Sequence, residues 1–182
     1  MVPAGGPNFK YESLFREAGW GMNDFDTAIR AVYQKDYDAL SSFFDAHGAA
    51  DVDEDGRSLL MHAVLASDAS VEMVEFLIRQ SVPVNAFDSE QNWTALHFAA
   101  RDKCAEIVDV LLRSGANVNA TECHGNTPLA RALDSLPHDR RTIELLIGAG
   151  ADASKRNRYG RSPLDVARMM ENSELEALLL AK

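Results

Sequence analysis

Gly56-Arg-Ser-Leu-Leu-Met-His-Ala63 is the first of four versions of one phrase. It returns as Asn92-Trp-Thr-Ala-Leu-His-Phe-Ala99, as Gly125-Asn-Thr-Pro-Leu-Ala-Arg-Ala132 and as Gly160-Arg-Ser-Pro-Leu-Asp-Val-Ala167. Its hydroxyl positions, Ser58, Thr94, Thr127 and Ser162, lie 36, 33 and 35 residues apart. A Ser or Thr at the start of a helix accepts from backbone N–H groups that have no intrahelical partner. Pro128 and Pro163 follow at the first helical position, where a missing N–H is harmless. Each phrase therefore predicts the start of a short helix with its Leu and Ala turned inward.

A second segment with helical spacing follows each of the first three phrases: Val71 to Ile78, Ala105 to Leu112 and Thr142 to Ile147. Gly115 and Gly150 close the latter two, in the left-handed position that ends a helix. Ser81-Val82 stands where Gly-Ala is expected after the first, so that turn is predicted to differ. Asn92 replaces a turn Gly but tolerates the same geometry. From Ala63 to Val74 and from Ala132 to Ile143 there are 11 residues, against 9 from Ala99 to Val108. The longer loops, Ser67 to Ser70 and Ser135 to Arg140, are places for individual function.

The period and the T-P-L-H-x-A pattern resemble the ankyrin-repeat family over about Asn23 to Lys182. The resemblance implies an all-α solenoid of about five helix-pair units with short β-turn tips. A degenerate cap at 23–52, built on Asp26 to Val32 and Asp38 to Phe44, precedes repeats at about 53–86, 87–119 and 120–153. A C-terminal cap at 154–182 carries the closing helix Glu174 to Leu180. Residues 1–8 read as a disordered leader without the features of a signal peptide, and 9–22 as a helical extension. Units of this kind stack because one helix pair cannot bury its own apolar stripe.

Composition narrows the function. The net charge is −10, with −8 on residues 1–86 and −2 on 87–182. A negative field disfavours nucleic acid and favours association with a basic protein. No apolar run is long enough to span a membrane. Two cysteines, Cys104 and Cys123, suit a reducing, cytoplasmic setting and read as isolated thiols. The acidic run Asp51, Asp53, Glu54 and Asp55 lacks the pattern of a calcium loop and reads as a solvated turn. No nucleophile, zinc or phosphate-loop motif occurs, so no catalytic residue, metal or cofactor is expected. His97 is expected to tie neighbouring units together.

The resemblance implies that partners dock on the turn tips and the exposed side of the first helices, together a concave face. The residues so marked are Arg57, His62, Trp93, Phe98, Arg101, Asn126, Arg131, Tyr159 and Arg161. Trp93 is expected to project at a tip as an interface anchor, its alternative being packing on Phe87 or Phe98. The implied protein is a non-enzymatic binding module, monomeric alone and heterodimeric with its partner. An immunity or inhibitor role toward a cognate toxin leads. A regulator of kinases or transcription factors is the alternative, and an N-terminal enzyme or metal site involving His47 or Asp36 a distant third.

Overall fold

The computed structural model describes residues 24–134 and 138–180, and the expected leader and extension at 1–22 lie outside them. Among the described residues, ten helices fall into five pairs. Unit one holds α1 (Asp24–Gln34) and α2 (Tyr37–His47), and unit two α3 (Leu59–Leu65) and α4 (Val71–Arg79). Unit three holds α5 (Ala95–Arg101) and α6 (Ala105–Arg113), and unit four α7 (Pro128–Ala132) and α8 (Arg140–Gly148). Unit five holds α9 (Pro163–Met169) and α10 (Ser173–Leu180). First helices stack from α1 through α7, and second helices from α4 through α10, forming a two-layered solenoid.

The phrase acts as its chemistry predicts. The hydroxyls of Ser58, Thr127 and Ser162 accept from the N–H groups of Met61, Ala130 and Asp165 at 3.4, 3.3 and 3.1 Å. The Leu and Ala of the inner phrases (Leu60, Leu96 and Leu129; Ala63, Ala99 and Ala132) are buried in one continuous core with Val74, Leu77, Val108, Leu111, Ile143 and Leu146.

The loop lengths follow from backbone geometry. Units one, three and five turn between their helices through one left-handed residue, Lys35, Lys103 or Glu171. The next N–H then donates back into the first helix: Asp36 to Ala31, Cys104 to Ala99 and Asn172 to Ala167. In units two and four, whose sequences are two residues longer here, Ser70 and Asp139 cap the second helix, and residues 135–137 of the expected Ser135 to Arg140 loop lie outside the described residues.

The turn at Ser81 does not differ from its counterparts. Val82 N–H donates to the Leu77 carbonyl at 3.1 Å and Ser81 N–H to Ile78 at 2.9 Å. The equivalent bonds after α6 run from Ala116 to Leu111 and from Gly115 to Leu112. Ser81 simply adopts the left-handed conformation, with φ 66°, that glycine holds at Gly115 and Gly150. The helix-closing bonds dictate the turn, and a serine bears the strain.

Unit five departs where it faces outward. At the positions of the buried Leu133 and Ile143 stand Arg168 and Glu176, and Arg168 Nε donates to Glu176 Oε1 at 2.8 Å. An ion pair thus covers the middle of a flank that is apolar in the inner units, a substitution that lets the flank face water.

Candidate partner-binding surface

Each tip is a tight turn closed by one side chain. Asp53 Oδ1 accepts from the N–H groups of Asp55 and Arg57 at 3.0 and 2.7 Å. Asp88 Oδ1 accepts from Gln91 and Trp93, and Glu122 Oε1 from Asn126. Asn157 Oδ1 accepts from Tyr159 and Arg161. The acidic run at 51–55 is therefore not merely solvated. Asp53 is half-buried and its Oδ2 also meets His62 Nε2 at 2.8 Å. Burial raises the Asp53 pKa, but the bonds from His62 and from the Arg57 and Asp55 N–H groups outweigh that and lower it.

Successive tips are joined by backbone bonds: Ser89 N–H to Asp55 at 2.8 Å, Cys123 N–H to Gln91 at 2.8 Å and Arg158 N–H to His124 at 2.9 Å. Gly56 and Gly125 allow that approach. A Cβ on Gly56 would lie 2.7 Å from the Ser89 nitrogen, and one on Gly125 3.1 Å from that of Arg158. Behind the tips, Asn85 and Asn119 bridge to the next unit, their amides donating to the Gly115 and Gly150 carbonyls at 3.0 Å. The tips form a row with fixed spacing.

Trp93 does not project. Its indole is 6% exposed and packs on Phe98, ring centroids 5.0 Å apart, and on His97 at 5.9 Å. Burying so large an apolar ring outweighs any gain from leaving it poised in water. Phe87 is not its partner there and stands 61% exposed. Phe98 and His62 are likewise buried, His62 between Asp53 and the Tyr33 hydroxyl, so neither offers a free surface.

What reaches the surface above Trp93 is a pair of guanidinium groups. Arg101 lies 5.2 Å and Arg131 4.7 Å from the ring centroid. Arg101 is also held by Asp102 at 2.6 Å, and Arg131 by Asp134 at 2.7 Å and Glu122 at 3.4 Å. Sequence reasoning named these residues but missed that the tryptophan is the floor and the arginines the surface. Arg57 is drawn to Asp55 and Glu90. Asn126 is tied to Glu122 and Asn157. Tyr159 is 69% exposed, its hydroxyl 3.2 Å from His124 Nδ1, and Arg161 beside it is exposed.

His97 joins units three and four. Thr94 N–H donates to Nδ1 at 3.2 Å, and Nε2 donates to the Asn126 carbonyl at 3.3 Å. Burial is the main influence on the ring and pushes its pKa down to about 4. Glu122 lies at the same joint. Burial opposes its charge, yet the N–H groups of His124 and Asn126 and the side chains of Cys123 and Asn126 prevail and bring its pKa down to about 2.

Glu122, Cys123 and His124 bring three metal-ligating atoms within 4.8 Å of one another. Both Glu122 oxygens are engaged in closing the turn, Arg131 stands beside them, and burial raises the Cys123 thiol pKa. The trio is accounted for as a turn. His47 and Asp36 also have structural roles: His47 stacks on Phe43 and meets Asp24, and Asp36 caps α2.

Two-helix units on a 33- to 36-residue period, with tips joined edge to edge, define a stacked repeat scaffold. A family profile described as ankyrin repeats (3 copies) matches residues 28–122 and 84–157, and the chain belongs to the ankyrin-repeat family. It is 35% identical to the mouse B-cell lymphoma 3 protein homolog over 118 residues, 63% of this chain and 25% of that protein. It is 37% identical to protein lin-12 of Caenorhabditis elegans over 106 residues, 54% of this chain and 7% of that one. An ankyrin repeat-containing protein of Treponema pallidum is 26% identical over 151 residues, 83% of this chain and 50% of the relative. The chain thus spans half or less of the length of these relatives. Ankyrin arrays are in general non-enzymatic protein-binding scaffolds. Among the described residues no helix is long and apolar enough to cross a membrane.

Proposed function

We propose that this chain is a non-enzymatic inhibitor of the immunity type, which neutralises a cognate protein by gripping it along the tips and first helices. The observation that carries the reading is the Trp93 floor with Arg101 and Arg131 laid across it. Guanidinium groups held over an aromatic ring are pre-ordered, so little side-chain entropy is lost when a partner covers them. Arginine and aromatic residues in such a setting supply most of the energy of protein interfaces. A rigid row of tips then acts by occupying its partner rather than by chemistry. The chain acts in the cytoplasm, as a monomer until it meets that partner.

A second reading is a regulator of a kinase or transcription factor, which the same Trp93–Arg101–Arg131 surface would serve equally. The identity of the bound partner decides between the two.

The test is capture from the native source by the wild-type chain and by Arg101→Glu. Arg101 is on the surface, so the variant should keep its thermal midpoint while losing the partner. The purified partner's own activity, measured with and without the chain, then reports neutralisation. Retention of the partner with affinity changed by less than about 1 kcal/mol would remove the Trp93–Arg101–Arg131 surface from the interface.

A further inference from the structure

The tips change sign along the row. Unit two carries Asp51, Asp53, Glu54 and Asp55 against Arg57, and unit three the exposed Glu90 beside the buried Asp88. Unit four carries only the buried Glu122, and unit five Arg156, Arg158 and Arg161, with the neutral Asn157 in the place the carboxylates take elsewhere. Ion pairing takes up much of the charge along this row and on the first helices beside it. Arg57 is held by Asp55 and Glu90, Arg101 by Asp102, Arg131 by Glu122 and Asp134, and Arg156 by Asp165.

The charges left over lie at the two ends. Asp51 and Glu54 make no ion pair among the described residues, and neither do Arg158 and Arg161. The row also exposes the apolar or aromatic side chains of Val52, Phe87 and Tyr159, alongside polar ones such as Ser89, Gln91, Asn92 and Thr121. Tip-to-tip backbone bonds hold the ends at a fixed separation.

We propose that this rim recognises a partner segment of bipolar charge, cationic where it lies over unit two and anionic where it lies over unit five. The proposal rests on the protein-binding reading and says what that partner looks like. A uniformly basic segment, as the net charge alone suggests, would meet Arg158 and Arg161 with like charge. A uniformly acidic one would meet Asp51 and Glu54. Only a segment with both signs, in one direction, finds opposite charge at both ends, which is how charge complementarity fixes register and rejects wrong partners. Four units stacked at the usual helix spacing of about 10 Å set the ends roughly 30 Å apart. An extended chain covers that in about nine residues.

The test uses synthetic peptides of about twelve residues with lysines blocked at one end, glutamates at the other, and alanine and leucine between. Both chain directions are made, together with an isomer of the same composition in which the charges alternate. One block peptide should bind the chain about tenfold more tightly than the alternating isomer, from a few exposed ion pairs of modest strength each. The preference should fade at high salt. A nitroxide on its lysine end should broaden the amide signal of Glu54, and one on its glutamate end that of Tyr159. The double variant R158E/R161E, both exposed, should abolish the preference while leaving the circular dichroism unchanged. Equal affinity for block and alternating peptides, no binding by either, or a preference that survives the double variant would each overturn the proposal. Such a failure is separable from failure of the binding reading, which depends on whether Arg101→Glu loses the native partner.

Discussion

The joint between units three and four should be the first to weaken in mild acid. His97 is fully buried, with its pKa pushed down from 6.5 to about 4. In the unfolded chain it titrates near 6.5, so below that pH the unfolded state takes up a proton that the folded state refuses. Stability therefore falls as pH drops from 6.5 toward 4, by up to about 1.4 kcal/mol per unit. Between pH 7 and pH 5 the loss from this residue is about 2 kcal/mol. The control is His97→Met, because Met61 fills the same position in unit two and is fully buried there. That variant leaves Thr94 N–H without its partner and takes one of two donors from the Asn126 carbonyl, which keeps the Glu122 N–H at 3.1 Å, at a cost of about 2 kcal/mol at pH 7. It no longer titrates. Urea unfolding followed by circular dichroism, run at pH 7 and pH 5 on both proteins, should show a gap of about 2 kcal/mol that closes almost completely at pH 5. Carboxylates that begin to titrate by pH 5 do so in both proteins and cancel in the difference. An equal loss in the two proteins would refute the assignment of the acid sensitivity to His97.

Ser81→Gly should raise stability by about 1 kcal/mol, since glycine occupies the left-handed region without the serine's penalty; an unchanged urea midpoint would mean that Ser81 is not strained. Gly56→Ala should cost distinctly more than Gly160→Ala, because both have positive φ but only at Gly56 would the new methyl strike the neighbouring tip, at the Ser89 nitrogen. Equal losses in thermal midpoint would show that the tips are not in contact. Glu122→Gln should remove up to about 3 kcal/mol at pH 7. Since the native pKa is lowered from 4.5 to about 2, the wild type has this contribution in full above pH 4.5 and loses it as pH falls toward 2.

The repeat letters made the scaffold legible because each answers to one local demand. A hydroxyl before a helix has a backbone N–H to satisfy, and Leu and Ala at fixed spacing have one face to bury. The two-residue insertions in units two and four were legible for the same reason, as departures from a period. Trp93 was only half legible: packing on Phe98 was the stated alternative and is what occurs, but the choice depends on what lies across the groove. Sequence places it at a tip, whereas Phe98, Arg101 and Arg131, up to 38 positions downstream, create the site that buries it. Ser81 misled for the opposite reason. Residue preference favours glycine there, but the helix-closing hydrogen bonds decide the conformation. The turn-closing roles of Asp53, Asp88, Glu122 and Asn157 carry a readable signal, an acid or amide five or six positions before the capping hydroxyl. A count of acidic residues hides it.

Burial of Trp93 also changes how the interface must be probed. Truncating a ring in the core removes about 3–5 kcal/mol of packing, so loss of a partner from Trp93→Ala would report a loosened joint as readily as a missing contact. Arg101 separates the two, because it shares the ring without supporting the core. The same geometry couples binding to stability. Arg131 contacts Trp93 in unit three and Glu122 in unit four, so a partner that covers it presses on the joint that His97 and Glu122 close. By linkage, a partner that binds only the folded array stabilises it in proportion to RT ln(1 + [L]/Kd). That gain should offset the acid weakening at His97, and it should be absent in any variant that no longer binds.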